Sequence, residues 1–271
     1  GLLMLPEMTV MPSSISFIDA LFTSTSASCV TGLIVVETAT CFTPKGHFIL
    51  MALIKLGGLN IIAFAGFFAL VSKFGIGIKH HSVIEDFISK DSLFSSKGLL
   101  GKIIIWSFAI ELLGAVLMYF SWNDMVHFKS LTEKVFSSLF HSFSAFNNAG
   151  FTLFTGGLYN ETIRYNYWIQ IIITVLVFFG AMGFMAMFDF FSIGKLKKRI
   201  KHPWRDLQFS TKIAVCFSIW LVVLGTLAFF VLENNNSLSD HGILGSWITA
   251  VFQSVTRTSG FNTVDIGSLA M

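Results

Sequence analysis

Long apolar runs alternate along this chain with polar connections and with shorter apolar segments that follow helix-capping residues. Four runs are close to or longer than the roughly 20 helical residues needed to cross a bilayer: residues 48–71, 103–120, 167–188 and 213–232. Lys55 and Glu111 interrupt two of these runs, yet the pattern remains stronger than that of a buried helix in a soluble protein. The chain is therefore predicted to be an all-α membrane protein. Close helix packing is expected at the glycines within the spans, which are Gly57, Gly58, Gly66, Gly180 and Gly183.

Three shorter helices are predicted between the spans, over residues 15–28, 135–146 and 244–255. A helix of about 12 to 14 residues covers about 20 Å, so each segment enters the membrane only partway before the chain turns back. Their carboxyl-terminal ends, which carry the negative ends of the helix dipoles, are predicted to point inward. The candidate caps are Ser13 or Ser14 for the first helix, Ser130 for the second, and Ser239 or Asp240 for the third.

Each of the three short helices ends in a glycine loop, and the loops form an internal repeat. Gly32, Gly150 and Gly260 follow at nearly equal intervals, each with a serine six places earlier, a small residue before it and a bulky apolar residue after it. A single glycine after a helix is most simply a turn. Three glycines in matching positions instead indicate equivalent elements around a shared pathway, which is the layout of an ion pore.

An ion pore needs oxygen atoms that replace the hydration shell of the ion, and backbone carbonyl groups supply them without a fixed charge. Glycine permits the backbone angles that direct carbonyl groups toward one axis, and it places no side chain in the lumen. The predicted ion-lining residues are Val30, Thr31, Gly32, Asn148, Ala149, Gly150, Thr258, Ser259 and Gly260. The predicted supporting residues are Cys29, Leu33, Asn147, Phe151, Arg257 and Phe261, of which Leu33, Phe151 and Phe261 are expected to pack behind the loops.

Composition strengthens the assignment to a membrane. With 54% hydrophobic residues, 12% charged residues and 31 phenylalanines, the chain has more apolar surface than a soluble core of 271 residues could bury. The net charge of +3 does not indicate a nucleic acid partner, because the basic residues concentrate in the connections at residues 73–102 and 195–212. The positive-inside tendency places these connections in the cytoplasm and the glycine loops at the outer face.

The cysteine and histidine residues do not indicate a metal site. Cys29, Cys41 and Cys216 lack metal-ligand spacing, so neither a zinc site nor a disulfide framework is expected. The remaining candidates, His80, His81 and His141, have no second pair of ligands at a useful spacing. His141 is expected to be a packed residue of the second short helix.

Lys55 and Glu111 are charges within predicted spans. Lys55 lies roughly 10 Å from the outer end of its helix and Glu111 roughly 13 Å from the inner end of the next, so their depths differ by roughly 7 Å. One hypothesis is that they pair directly or through water, since an intramembrane charge normally needs a partner. The alternative is that Lys55 extends to the interface while Glu111 is protonated or hydrogen-bonded. Arg257, beside the third loop, is predicted to brace backbone carbonyl groups from behind or to form an ion pair with an acidic residue of another repeat. A structural brace is favoured over an ion barrier, because a cation in the lumen would oppose cation entry.

Four segments in order carry a specific resemblance: residues 29–33, 56–59, 146–151 and 256–263. Over essentially its whole length the chain resembles the Trk/Ktr/HKT superfamily of potassium transporters, particularly the bacterial Ktr-type and Trk-type membrane subunits. The resemblance implies four units of helix, pore helix with filter loop, and helix around a central pore. It also implies a homodimer in the lipid bilayer, with a cytoplasmic ring of nucleotide-binding regulatory subunits.

Three repeats are expected within the 271 residues. Residues 1–72 form a first repeat whose first helix is mostly missing, residues 73–190 form the second repeat with a preceding cytoplasmic loop, and residues 191–271 form a third repeat without its second helix. The expectation is thus of a chain cut before the fourth repeat, which would not close a pore alone.

The predicted function is potassium uptake across the plasma membrane through a carbonyl-lined filter, driven by membrane voltage, with linkage to sodium left open. Potassium, or sodium, is the transported ligand, and no covalently bound cofactor is expected. One alternative is a sodium-conducting member of the same superfamily, in whose plant members serine replaces the first filter glycine; Gly32 disfavours it. A second is a polytopic membrane enzyme that uses Asn147, Asn148 and His141, but no nucleophile and base pair or phosphate-binding loop accompanies them.

Overall fold

The computed structural model describes residues 2–10, 15–58, 99–122, 126–183 and 209–269, with residues 186, 189 and 207 besides. Side chains of its fourth helix are described from residue 104 onward. Within these ranges the chain is helical, and its only β-type pairing is an isolated bridge between Thr9 and Phe42. The helices are α1 Phe17–Ser28, α2 Thr38–Cys41, α3 Pro44–Gly58, α4 Leu99–Ser121, α5 Leu131–Phe146, α6 Tyr167–Ala181, α7 Phe209–Glu233 and α8 Ile243–Thr256.

Two of the described helical segments, Ile104–Ser121 within α4 and Phe209–Glu233, are long and apolar enough to cross a membrane. The other two predicted spans begin as α3 and α6, and each helix has 15 described residues. The remaining residues of these two spans, 59–71 and 184–188, lie largely outside the described residues. The two basic connections lie outside them as well except at their ends, and so do His80 and His81.

The three short helices α1, α5 and α8 form as predicted, but two of their caps differ. The predicted caps of α1 lie outside the described residues; the helix is capped by Ser16, whose Oγ accepts from the Asp19 amide at 3.1 Å. The predicted caps of α8 are wrong, because Gly242 occupies its N-cap position and no side chain caps it. Only Ser130 is confirmed, and its Oγ accepts from the Glu133 amide at 3.1 Å.

The short helices and the longer helices next to them pack in a regular order. Helix α1 packs against α3, α3 against α5, α5 against α6, α6 against α8, and α8 against α7. The helix after each of the first two short helices therefore contacts its own short helix and also the next one along the chain. This is the neighbour order expected of repeats arranged in sequence around an axis.

The chain divides into two compact units, one of residues 1–58 with 110–271 and one of residues 59–109. In the first unit, large apolar side chains fill the space behind the glycine loops. Phe140, Phe151, Phe252 and Phe261 are all at most 1% exposed. Every contact of the candidate site lies within this unit. Of the second unit, residues 99–109 are described, and they form the first part of α4.

Candidate functional site

The three glycine loops meet. A methyl group added to the Cα of Gly32 would lie 2.7 Å from the carbonyl oxygen of Ala149 and 2.8 Å from that of Ser259. A methyl group added to Gly150 would lie 1.9 Å from the same Ser259 oxygen, and one on Gly260 would lie 3.6 Å from the Gly32 oxygen. The neighbours that surround these glycines are thus backbone atoms of the other loops. Main-chain oxygens of the loops that follow three separate short helices therefore converge on one place.

The backbone of the loops explains why glycine is needed there. Gly32, Gly150 and Gly260 have φ angles of 73°, 70° and 82°, in the left-handed region that glycine adopts without strain. Val30 and Asn148, two residues before the first and second of these glycines, also have positive φ angles, of 57° and 60°. Asparagine tolerates this conformation, whereas a β-branched valine is strained in it. The first and second loops therefore share one backbone shape.

A serine hydroxyl closes each of the first two loops. Ser26 Oγ donates to the Leu33 carbonyl oxygen at 2.7 Å, and Ser144 Oγ donates to the Phe151 carbonyl oxygen at 2.8 Å. Both serines are the residue six places before the glycine of their loop, so this feature of the repeat has a structural role. Each hydroxyl joins the last turn of its short helix to the residue just after the glycine.

The third loop is held differently. Ser254, the equivalent serine, donates instead to the Val222 carbonyl oxygen of α7 at 3.1 Å. Arg257 supplies the closure: its Nε donates to the Gln253 carbonyl oxygen at 3.1 Å, and its Nη2 donates to Asn262 Oδ1 at 2.5 Å and to Gln253 Oε1. The guanidinium thus joins the residues before and after the loop.

The three bulky residues that follow the glycines have different surroundings. Phe151 and Phe261 are 0% and 1% exposed and pack behind their loops. Leu33 is 63% exposed, so the prediction that its side chain packs behind the first loop is wrong within the described residues. Its carbonyl group, held by Ser26, fixes that end of the loop instead. Cys29 is the exposed C-cap residue of α1, and its amide donates to Thr25 at 2.7 Å.

Two glycines bring the following helices against the ends of the short helices. A methyl group at Gly57 of α3 would lie 2.0 Å from the Ser28 carbonyl oxygen, and one at Gly180 of α6 would lie 1.8 Å from the Phe146 carbonyl oxygen. Ser28 and Phe146 occupy the same position, four residues before the glycine of their loop. The close helix packing expected of these glycines is confirmed, and the repeat extends to the helices behind the loops.

Other glycines of the spans behave less uniformly. A methyl group at Gly58 would lie 2.0 Å from Asn147 Oδ1, so this glycine also permits a close approach. Gly183 follows the end of α6 with a φ of 77°, and an added methyl group there would have no atom of the described residues within 4 Å. The residues directly after it lie largely outside the described ranges, so close packing at Gly183 stays a prediction. Gly66 lies outside the described residues.

The two intramembrane charges form a direct ion pair. Lys55 Nζ lies 2.7 Å and 2.8 Å from the two carboxylate oxygens of Glu111, and the two residues are 7% and 0% exposed. The alternative in which Lys55 extends to the interface is therefore wrong. Asn147, the C-cap residue of α5, joins the pair by donating to Glu111 Oε1 at 2.8 Å and to the Phe143 carbonyl oxygen at 2.8 Å. The ion pair is thus tied to the end of the second short helix.

His141 is a packed residue of α5, as expected. Its Nδ1 donates to the Ser137 carbonyl oxygen at 2.7 Å, and its Nε2 accepts from the Leu153 amide at 3.3 Å. The ring stacks on Phe154 with a centroid distance of 5.0 Å. Both ring nitrogens are therefore occupied in holding the segment that leaves the second loop.

A polar cluster lies at the amino-terminal end of α6, between the second and third repeats. Tyr167 Oη and His241 Nδ1 are 3.0 Å apart, and Arg164 Nη2 donates to Asp240 Oδ2 at 3.1 Å. Burial lowers the pKa of His241, and the nearby Arg164 guanidinium lowers it further, while Asp240 opposes this effect. Tyr165 packs on the His241 ring with a centroid distance of 5.0 Å.

Comparison with known proteins places this geometry in a family. The family model described as "TrkH: Cation transport protein" matches residues 3–271. The Ktr system potassium uptake protein B of Bacillus subtilis is 34% identical over 99% of this chain and 58% of its own length. The protein of the same name from Vibrio alginolyticus is 33% identical over 98% of the chain and 56% of its own length. The chain thus spans less than two thirds of these relatives.

Two further matches concern ion preference and fold. The potassium/sodium uptake protein NtpJ of Enterococcus hirae is 29% identical over 98% of this chain and 56% of its own length. The crystal structure of the potassium transporter TrkH from Vibrio parahaemolyticus aligns with a TM-score of 0.63 at 24% identity. That alignment covers 92% of this chain and 46% of the other, so the chain has the same fold.

Proposed function

The chain belongs to the TrkH family of cation transport proteins, and from this premise we propose that it lines the ion pathway of a potassium uptake system. The observation that carries the proposal is the convergence of the Gly32, Gly150 and Gly260 loops, where backbone carbonyl oxygens are the nearest neighbours. Those oxygens replace water around a dehydrated potassium ion without trapping it by a fixed charge. Membership in a transport family also sets aside the alternative of a membrane enzyme.

The short helices and their braces would prepare these oxygens for the ion. Helices α1, α5 and α8 all end at the loops, so the negative ends of their dipoles favour a cation there. The Ser26 and Ser144 hydroxyls and the Arg257 guanidinium hold each loop from within its own repeat. Because the oxygens are held before the ion arrives, less reorganisation accompanies binding.

The driving force and the orientation form the second part of the proposal. With the glycine loops at the outer face and the basic connections inside, the membrane voltage drives cations inward, at about 2.3 kcal/mol per charge for each 100 mV. Potassium is the transported ligand. Sodium linkage is the second candidate, and what favours it is the similarity to a relative named for both ions.

The assembly proposed for the complete system follows from the resemblance. The protein would reside in the plasma membrane as a homodimer, with a ring of nucleotide-binding regulatory subunits on its cytoplasmic side. The similarity to relatives named as parts of a Ktr system supports a multi-component assembly. No nucleic acid partner is proposed.

Complementation tests the function. The full-length protein, produced in a bacterial host that lacks its own potassium uptake systems, is expected to restore growth at low external potassium. Failure to restore growth or to take up potassium, with the protein present in the membrane and co-produced with its regulatory subunit, would overturn the proposal.

Substitution of Gly32 tests the filter itself. Gly32→Ser should reduce the preference for potassium over sodium, because the new Cβ would lie 2.7 Å from the Ala149 carbonyl oxygen and would force the loops apart. Gly156→Ser is the matched control, since Gly156 has a similar φ of 75° but no atom of the described residues within 4 Å of an added Cβ. The control carries the same backbone strain and is expected to keep the wild-type preference. Equal preferences in Gly32→Ser and wild type would count against the filter.

A further inference from the structure

One position of the repeat lies behind the converging carbonyl groups. Val30, Asn148 and Thr258 each stand two residues before a filter glycine. A methyl group at Gly57 of α3 would lie 3.1 Å from Val30 Cγ2, and one at Gly180 of α6 would lie 2.9 Å from Asn148 Nδ2. The first two of these side chains therefore point toward the helix that follows their own loop, away from the converging backbone oxygens.

The nitrogen and the oxygen of the Asn148 side-chain amide both form hydrogen bonds. Its Nδ2 donates to the Val177 carbonyl oxygen of α6 at 3.3 Å, and its Oδ1 accepts from Thr258 Oγ1 at 3.1 Å. Asn148 therefore links the helix behind the second loop, the second loop itself and the third loop. Within the described ranges, this is the one hydrogen bond between side chains of two different glycine loops.

The contact between the second and third loops differs from the contact between the first and second loops. Val30, which occupies the same position in the first loop, has an apolar side chain and can neither donate nor accept a hydrogen bond. The other braces of the loops, from Ser26, Ser144 and Arg257, all act within a single repeat. Among the described residues, the hydrogen bond from Thr258 to Asn148 is the one between side chains that restrains the distance between two loops.

We propose that Asn148 and Thr258 are positioning residues that set the spacing of the second and third loops and thereby the preference of the pathway for potassium over sodium. This inference rests on the proposed function. Sodium is the smaller ion, so carbonyl groups on separate loops coordinate it better if the loops can move closer together. A hydrogen bond between equivalent positions of two loops restrains that movement without placing a side chain against the ion.

The chemistry of the contact determines the best substitutions. The Thr258 hydroxyl has one proton and lies within 3.2 Å of the Val255 carbonyl oxygen as well, so Thr258→Val removes both possibilities while it keeps the shape. Thr258→Ser restores the hydroxyl. Asn148→Gly removes the amide but keeps a residue that adopts a φ of 60° without strain.

The test compares initial rates of potassium and sodium uptake by the full-length protein in proteoliposomes. Thr258→Val is expected to lower the potassium-to-sodium ratio about twofold to tenfold, the range that corresponds to one net hydrogen bond. Thr258→Ser should keep the wild-type ratio, and the double variant Asn148→Gly/Thr258→Val should be no worse than the more affected single variant. Thr174→Val is the control, since it removes a hydroxyl that bonds only within α6, to the Gln170 carbonyl oxygen at 2.7 Å.

Each result supports or overturns the inference. An unchanged potassium-to-sodium ratio in Thr258→Val would overturn the inference, and so would effects of the two single variants that simply add. In either case, potassium transport by the wild type would leave the proposed function intact. If Thr258→Val does not insert into the membrane, Asn148→Gly and Thr258→Ser decide the matter: an altered ratio in the first and a normal ratio in the second support it, and any other combination overturns it. A wild-type protein that transports no alkali cation would instead refute the proposed function, and the inference with it.

Discussion

Lys55 Nζ lies 2.7 Å from Glu111 Oε1, so a cation on α3 and an anion on α4 neutralise each other inside the protein. The two helices belong to different predicted repeats, and Asn147 at the end of α5 donates to the same carboxylate. The contact therefore joins three helices close to the second glycine loop. A buried ion pair does not by itself make a protein more stable than an apolar pair would. Its effect is that each buried charge becomes costly when the other charge is removed.

Removal of either charge alone is expected to be more harmful than removal of both. Lys55→Met leaves a buried carboxylate without its cation, and Glu111→Gln leaves a buried ammonium group without its anion, each at a cost of about 3 to 5 kcal/mol. The double variant should recover much of this loss, while the new amide oxygen at position 111 can still accept from Asn147. Thermal unfolding of the detergent-solubilised protein measures the effect. Losses in the single variants that simply add in the double variant would show that the charges act independently.

Loss of a serine that closes a loop should affect ion preference. Ser26→Ala or Ser144→Ala leaves the carbonyl group of Leu33 or Phe151 without its hydroxyl donor, with a cost of about 1 to 3 kcal/mol where the group is buried. The loosened loop should show a lower potassium-to-sodium uptake ratio. Ser254→Ala is the matched comparison, because that hydroxyl bonds to α7 and its loss should lower thermal stability with a smaller change in the ratio. Identical changes in the ratio for all three variants would contradict the different roles.

The glycines behind the short helices should not tolerate a methyl group. Gly57→Ala and Gly180→Ala would place a Cβ at 2.0 Å and 1.8 Å from backbone carbonyl oxygens, so the helices must move apart. Overpacking of this kind costs about 1 to 3 kcal/mol. Gly242→Ala is the control, because an added Cβ there has no atom of the part of the chain that the structure describes within 4 Å and the φ of −66° suits alanine. Melting temperatures of the three variants measure the difference, and a loss in the control equal to that at Gly57 would contradict the packing explanation.

Stability should decrease with acidification because of His241. Its pKa is lowered in the folded protein, chiefly by burial, so below the unfolded-state value of 6.5 the unfolded chain binds more protons than the folded one. The stability that the neutral ring contributes is thus complete above that value and is lost as the pH falls from 6.5 toward the folded-state pKa. Unfolding temperatures between about pH 8 and about pH 5 measure the loss. His241→Gln, which can still accept from Tyr167, should show a weaker dependence, and an equally steep one would assign the effect to other groups.

The sequence predicted the features that depend on local pattern. The apolar runs, the three short helices and the glycine positions follow from composition and spacing, and the left-handed φ angles of Gly32, Gly150 and Gly260 agree with the residue type. Cap positions were less predictable. Several adjacent polar residues precede α1 and α8, and only the packing of each helix decides where it begins. Ser16 caps α1 because its hydroxyl faces the Asp19 amide, which a list of candidate serines does not reveal.

The remaining features depend on contacts between distant parts of the chain. The same serine of the repeat bonds within its own loop as Ser26 but to a neighbouring helix as Ser254. The contact between Asn148 and Thr258 also needs the loops in place before it can be recognised. The pairing of Lys55 with Glu111 could be predicted in part, because the membrane depth of each residue follows from its position along a straight helix. Whether their helices are neighbours is a matter of tertiary packing.

The position of α3 has a consequence for engineering this protein. At Gly57 it contacts the end of its own short helix, while Gly58 contacts Asn147 at the end of the next one and Lys55 pairs with Glu111 of α4. A glycine loop transplanted from a relative would therefore meet surfaces shaped by two repeats at once. Chimeras that exchange two adjacent repeats together are expected to keep the contacts of α3 with both short helices, whereas exchange of a single repeat would place surfaces from different proteins against each other at its borders.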